Sequence, residues 1–260
     1  MLKDSGLSCP LDPKQIKNEV VRWIASYFNS TATRDTLAVV GISGGKDSTV
    51  TAALCAEAIG KERVVGVIIP NGRQEDINVT YAVCEHLGIP YTEINIGNCI
   101  ESLYSAMIIG SDIELNDTAK FNTPARIRMA TLYAFASSYN GRVANCCNYS
   151  EAYIGWGTKY GDMAGDFSPI SDLTASEVKQ LGYQLGLPAE FVEKPPADGL
   201  CGKTDEESFG FTYDVLDKYI RTGVCDDFRI KAKIDKMNAA SEHKRRPMLA
   251  YRKNIYSYMV

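Results

Sequence analysis

The sequence predicts an α/β protein with a doubly wound, open parallel sheet and helices on both faces. Three observations carry this. Leu37–Ile42 and Val64–Ile69 are short continuous apolar runs, the mark of strands buried on both faces. Longer stretches of helical periodicity alternate with the strand candidates, and that alternation requires parallel pairing. A glycine-rich turn follows the first apolar run and opens a helix.

The elements follow in order. Residues 13–28 predict an amphipathic helix, because Ile16, Val20, Trp23, Ile24 and Tyr27 recur at helical spacing. A strand at 37–42 leads into a helix over 48–59. The strand at 64–69 is ended by Pro70-Asn71-Gly72. A helix over 74–87 is stopped by Gly88-Ile89-Pro90, and 91–96 reads as the third strand. Residues 110–121 are polar and mixed and read as an ordered loop. Residues 123–139 form the next helix and 142–147 the fourth strand. Three helices complete the chain, over 175–185, 205–219 and 226–239. No internal repeat, low-complexity tract or long linker divides it, so residues 1–260 read as a single domain.

Composition narrows the function classes. No apolar run approaches the roughly 20 residues that span a membrane. The N-terminal residues lack the apolar core of a secretion signal. A cytoplasmic location without membrane partners is expected. The net charge of −4 argues against a nucleic-acid partner, which asks for a basic face. The eight cysteines show neither C-x-x-C nor zinc-site spacing, and are read as small buried hydrophobes.

The chemistry is concentrated in Gly41-Ile42-Ser43-Gly44-Gly45-Lys46-Asp47-Ser48. Glycines let a backbone approach phosphate closely, and a helix N-terminus offers free N–H groups at the positive end of its dipole. Ser43 and Ser48 add hydroxyls. The position, at the carboxyl end of a strand, is where open α/β sheets bind ligands. The turn is not a Walker loop, because Asp47 stands where Ser or Thr is required. An aspartate inside a phosphate-binding turn repels phosphate unless a cation intervenes, so Asp47 reads as a Mg²⁺ ligand. A purely structural reading makes the segment a glycine-rich turn in which Asp47 or Ser43 caps the helix.

S-G-G-x-D-S resembles the signature of the ATP-pyrophosphatase superfamily. That group includes NAD synthetase, GMP synthetase, asparagine synthetase and several tRNA-modifying enzymes. The resemblance implies a Rossmann-like sheet of the adenine nucleotide alpha hydrolase type, and cleavage of ATP between its α and β phosphates. Further segments resemble ammonia-dependent NAD synthetases, in the family's order. They are Gln74-Glu75-Asp76, Ala125-Arg126-Ile127-Arg128-Met129, the stretch 145–166 (NCCNYSEAYIGWGTKYGDMAGD), Pro196-Ala197-Asp198-Gly199-Leu200, Thr204-Asp205-Glu206 and Glu242-His243-Lys244-Arg245.

The resemblance implies roles residue by residue. Gly41 to Ser48 bind ATP, with Gln74 near the adenine side and Cys146 and Ala197 at further ATP positions. Glu151 joins Asp47 on the metal. Arg126, Lys159, Asp166, His243 and Lys244 contact deamido-NAD. Trp156 stacks on the nicotinate ring, or is ordinary core packing. The run His243-Lys244-Arg245-Arg246 reads alternatively as a disordered basic tail. Three positions depart from the family. Cys146 replaces a Thr, Ala175 a Lys and Ala197 a Ser or Thr, all ATP contacts. Lys46, Thr174, Ser176, Lys179 and Lys203 are the available substitutes.

What the resemblance implies is amidation of deamido-NAD to NAD. The nicotinate carboxylate attacks the α-phosphate of Mg·ATP, pyrophosphate leaves, and ammonia attacks the acyl-adenylate to release AMP. Both nucleophiles belong to substrates, so no catalytic nucleophile is expected in the chain. The chain's length leaves no room for a glutaminase domain, so free ammonia is the expected donor unless a separate glutaminase subunit delivers it. The family also implies a homodimer. Two alternatives stand beside this reading: an ATP pyrophosphatase acting on another substrate such as tRNA, and a nucleotide-binding module without catalysis.

Overall fold

The structure, a computed structural model, describes residues 12–111, 113–194, 204–248 and 250. Cys9, Cys201, Lys203 and the segment 196–200 with Ala197 lie outside the described residues. In chain order α1 (Pro13–Thr31) precedes β1 (Leu37–Gly41), α2 (Lys46–Ile59) precedes β2 (Val64–Ile68), and α3 (Ile77–Leu87) precedes β3 (Tyr91–Glu93). Next come α4 (Gly97–Ser111), α5 (Asp117–Ser138) and β4 (Gly141–Val143). The rest is helical: α6 (Tyr149–Ile154), α7 (Ala175–Gln184), α8 (Ala189–Val192), α9 (Asp205–Phe209), α10 (Tyr213–Thr222) and α11 (Phe228–Arg245).

Among the described residues the sheet is parallel throughout, in the order β3-β2-β1-β4. The period-2 alternation of β1 divides the core between its faces. Ala38 and Val40 pack with Ile24 and Phe28 of α1, Val50 and Leu54 of α2, and Val178 and Leu181 of α7. Val39 points the other way, to Ile100 of α4, Met129 and Leu132 of α5, and Val67 and Val143 of the neighbouring strands. Each fully buried Val or Leu contributes about 1.5–3 kcal/mol, so both helical layers are held by this central strand.

The strand order fixes where a ligand binds. The chain moves outward from β1 through β2 to β3, then returns to place β4 on the other side of β1. The switch point therefore lies between β1 and β4, and a crevice opens at their carboxyl ends. The turn after β1 and the segment after β4 both run into it.

The structure revises several sequence expectations. The expected loop over 110–121 is largely helical, since α4 extends to Ser111 and α5 begins at Asp117. Asn116 starts α5 by accepting the Ala119 N–H at 2.9 Å, and the helix tolerates Pro124 inside it. The expected helix over 205–219 is two helices. Gly210 takes the left-handed conformation (φ +76°), ending α9, and Thr212 caps α10 by accepting the Val215 N–H. The ends of α11 also move, and it continues to Arg245, carrying the basic run expected alternatively as a disordered tail. The six described cysteines are unpaired. Cys55, Cys84 and Cys147 are buried, Cys146 and Cys225 half-buried, and Cys99 exposed.

Candidate active site

The turn between β1 and α2 is built by its own hydroxyls. Ser43 N–H donates to Ser48 Oγ at 3.3 Å, and Gly45 N–H donates to Ser43 Oγ at 3.3 Å. Ser48 Oγ and Thr49 Oγ1 donate to the Gly45 carbonyl at 3.1 and 2.8 Å. Ile42 is buried beneath the turn, its N–H donating to Val67 O. Gly44 sits at φ +77°, and a Cβ there would meet Thr80 Cγ2 at 3.2 Å. Gly45 is the N-cap of α2 and makes no side-chain cap bond. The first-turn N–H groups are thus left for a ligand.

Asp47 does not cap the helix. Its Oδ2 accepts Lys46 Nζ at 2.8 Å, and its Oδ1 accepts Asn148 Nδ2 at 3.1 Å. Asn148 ends the segment that leaves β4 and caps α6. Its Oδ1 accepts the Glu151 N–H at 3.0 Å, and its own N–H donates to Glu151 Oε2 at 3.3 Å, a complete capping box. Asp47 and Glu151 therefore come from the two sides of the switch point and meet through one asparagine.

The electrostatics mark this pair. Burial and then the Asp47 charge push the Glu151 carboxyl up to about 8, with Lys46 opposing. Lys46 is buried, which disfavours its charge, but Asp47 and then Glu151 outweigh this and hold its ammonium above the ordinary value. Its Nζ lies 5.7 Å from the ring centre of Tyr213, whose hydroxyl donates to Asp205 at 2.9 Å. A buried carboxyl whose ionisation is disfavoured by a nearby carboxylate suits a divalent cation. Among the described residues no third His, Cys, Asp or Glu completes a metal cluster. Two carboxylates plus substrate phosphates and water are the donor set that Mg²⁺ prefers, so the residues present fit the ion.

A pH dependence follows for the metal-free protein. The Glu151 pKa is raised on folding, so its contribution to stability is fully present below the unfolded value near 4.5 and is lost as pH rises through about 8. The melting temperature without metal should fall across that window from this group. Added Mg·ATP should remove the decline. Thermal scans at pH 5 to 9 with and without Mg·ATP check this.

A second group lies beside the first. Arg126 Nε donates to the Lys159 carbonyl at 3.3 Å, and Lys159 Nζ donates to the His243 carbonyl. Lys244 Nζ donates to the carbonyls of Gly155 and Gly157, both at 2.8 Å. Burial lowers the Lys244 pKa, with Asp162 opposing and Arg126 assisting. Arg126, Lys159, His243 and Lys244 thus gather from α5, the segment after α6, and α11. Asp166 stands apart at the edge of β4, where its Oδ2 accepts the Val143 N–H at 2.7 Å. It lines a cavity of about 260 Å³ with Tyr133, Asn140 and Arg142. Trp156 packs edge-on against Phe209, ring centres 5.4 Å apart, beside Ile154 and Ile234. Gln74 donates to Asp76, which pairs with Lys194.

The substitutes named for the missing ATP contacts divide sharply. Thr174 caps α7, Ser176 reaches Asp214 and Lys179 pairs with Glu193. Lys46 alone lies in the phosphate turn. Cys146 is not an activated thiol, since burial pushes it up to about 12. Sequence reasoning gave no role to Asn148, Tyr213 or Asp217. Asn148 carried a readable signal, because N-x-x-E before an apolar stretch is a capping box. Tyr213 and Asp217 carried none, being joined to the site only by folding.

An open parallel sheet with an uncapped glycine turn and two carboxylates at its switch point defines the class: an α/β nucleotide-dependent enzyme of the adenine nucleotide alpha hydrolase type. The NAD synthase family model matches residues 16–254. The chain is 40% identical over 211 residues to the NH(3)-dependent NAD(+) synthetase of Methanocaldococcus jannaschii, covering 80% of each. Its fold matches a solved NMN synthetase from Francisella tularensis with a TM-score of 0.83 at 31% identity, over 94% of this chain and 100% of that one. It also matches the NH3-dependent NAD synthetase from Campylobacter jejuni with a TM-score of 0.73 at 26% identity, over 93% and 100%. The chain belongs to the NAD synthase family.

Proposed function

We propose that the chain amidates deamido-NAD to NAD with ATP and ammonia, releasing AMP and pyrophosphate. The observation that carries this is the Asp47–Asn148–Glu151 arrangement at the switch point, with the Arg126, Lys159 and Lys244 group beside it. The α2 N-terminus and Lys46 offer positive charge to the phosphates of ATP. Asp47 and Glu151 would hold Mg²⁺, whose chemistry is to neutralise charge on the phosphates. Arg126, Lys159 and Lys244 would seat the acidic dinucleotide. The nicotinate oxygen bonds to the α-phosphorus as the bond to pyrophosphate breaks. Ammonia then bonds to the acyl carbon, AMP leaves, and the excess proton passes to solvent. The chain contributes positioning and charge rather than a nucleophile.

The nitrogen donor in this reading is free ammonia, and the site of action is the cytoplasm. Among the described residues no helix is long and apolar enough to cross a membrane. A second reading is favoured by the likeness to the NMN synthetase: the product is the mononucleotide NMN rather than the dinucleotide. One assay separates the readings. Pyrophosphate release and amide product are measured with deamido-NAD, nicotinate mononucleotide or tRNA, each with and without Mg²⁺ and ammonia. NAD formation that needs deamido-NAD, Mg²⁺ and ammonia together is expected. Preference for the mononucleotide supports the second reading, while tRNA-driven release or ATP binding without turnover defeats both.

The homodimer belongs to this proposal. Exposed apolar side chains crowd the stretch from α4 to the start of α5: Ile108 at 53%, Ile109 at 86%, Ile113 at 48% and Phe121 at 42% exposure. Such a concentration suits burial against a second copy. Light scattering should give the mass of a dimer, and Ile109→Glu should shift it towards the monomer. A monomeric starting protein would refute the assignment.

A further inference from the structure

We propose that Asn148 is a positioning residue that sets the spacing of the two metal carboxylates. The proposal rests on the metal reading of Asp47 and Glu151 given above. Asn148 is fully buried, and both ends of its carboxamide are committed. Its Oδ1 accepts the Glu151 N–H at 3.0 Å and its Nδ2 donates to Asp47 Oδ1 at 3.1 Å. The orientation of the amide is forced, because turning it over would set an oxygen against a carboxylate and an NH₂ group against an N–H. The Asn148 N–H closes the arrangement on Glu151 Oε2 at 3.3 Å.

Capping α6 needs only an acceptor, and Ser does that as well as Asn. The donor end has a different task. It fastens a turn that follows β1 to a helix that follows β4, elements 101 residues apart in sequence. Lys46 holds the other oxygen of Asp47 at 2.8 Å, so each oxygen of the carboxylate is held by one donor and keeps acceptor capacity for a cation. Next to Glu151 in the chain, Ser150 is buried and its hydroxyl donates to Asp217 of α10. Asp217 also accepts the Ser176 N–H at 2.8 Å. The α6 turn is therefore anchored independently, and the Asn148 amide fixes Asp47 relative to it. Groups that hydrogen-bond metal carboxylates typically account for about 10- to 100-fold in metal affinity.

The test uses the full chain with Mn²⁺ as probe and a non-hydrolysable ATP analogue, so binding is read by electron paramagnetic resonance without turnover. Asn148→Ser keeps the cap and removes the donor; Asn148→Thr does the same with more volume and stands in if the serine variant fails to fold. Expected is a melting temperature within a few degrees of the unaltered protein, Mn²⁺ binding weakened about 10- to 100-fold, and an unchanged KM for deamido-NAD. Wild-type Mn²⁺ binding in the folded variant would overturn the proposal, as would parallel losses in metal binding, melting temperature and dinucleotide KM. Asp47→Ala serves as reference. If that variant binds Mn²⁺ normally, the metal reading itself is wrong, whereas loss there with none at Asn148 removes only the positioning role.

Discussion

Replacing Asp47 with alanine is expected to reduce pyrophosphate release by at least about 10²- to 10³-fold, the loss seen when one preorganised charge-stabilising group is removed. The fold should survive. Asp47 caps nothing, since Gly45 is the N-cap of α2 and the carboxylate is turned towards Lys46 and Asn148. Lys46 would lose its ion-pair partner, but Glu151 and Asp217 remain within reach of its charge. Because Lys46 keeps those other charges near it, the stability cost is mainly that of the lost Asn148 bond to the carboxylate, about 1.5–3 kcal/mol. At roughly 2–4 °C per kcal/mol for a chain of this size, the melting temperature should drop by about 3–12 °C. Asp47→Asn is the sharper companion. It keeps an acceptor for the Asn148 amide and removes only the charge, so activity should fall as far while the melting temperature moves less. Full activity in the asparagine variant would show that the charge is not needed, and with it the cation.

How much of this was readable beforehand follows from the range of the interactions. The strands of the centre were legible because Leu37–Ile42 and Val64–Ile69 are apolar at every position, which only burial on both faces explains. The phosphate turn was legible because glycine, serine and aspartate each carry a local conformational or chemical meaning. Helix α4 was not, since much of its apolar content is exposed and leaves no clean stripe to count. The division of α9 from α10 turned on Gly210, which a helical pattern tolerates and only the left-handed φ resolves. His243 and Lys244 were assigned by likeness to a family. The basic run looked like a tail because its packing partners, the carbonyls of residues 152 to 157, lie some ninety residues away. The links from Asn148 to Asp47, and from Tyr213 to Lys46, join segments far apart in the chain and depend on the strand order, which composition does not encode.

That long-range docking makes Gly155→Ala the substitution with the largest expected effect on stability. Gly155 ends α6 in the left-handed conformation (φ +71°), which costs an alanine about 1–2 kcal/mol. A Cβ there would also fall 2.0 Å from Ser241 Cβ and 2.6 Å from its Oγ, inside the contact between α6 and α11. Ser241 is buried and its Oγ takes part in the Arg245 bonds, so it has little room to yield. The helices must separate, and overpacking of this kind adds about 1–3 kcal/mol. The sum, about 2–5 kcal/mol, corresponds to a drop of roughly 4–20 °C in melting temperature. The separation would also move Lys244 from the carbonyls of Gly155 and Gly157, and Arg245 from those of Ala152 and Tyr153. At temperatures where the variant stays folded, the KM for deamido-NAD should therefore rise while that for ATP changes little. This follows because α11 carries His243 and Lys244, whereas the phosphate turn is braced by β1 and α2. Calorimetry and steady-state kinetics on the same preparation read both. A variant as stable as the parent would mean that α11 does not pack on α6 at this glycine. Equal losses for both substrates would mean that the dinucleotide group and the ATP turn do not move separately.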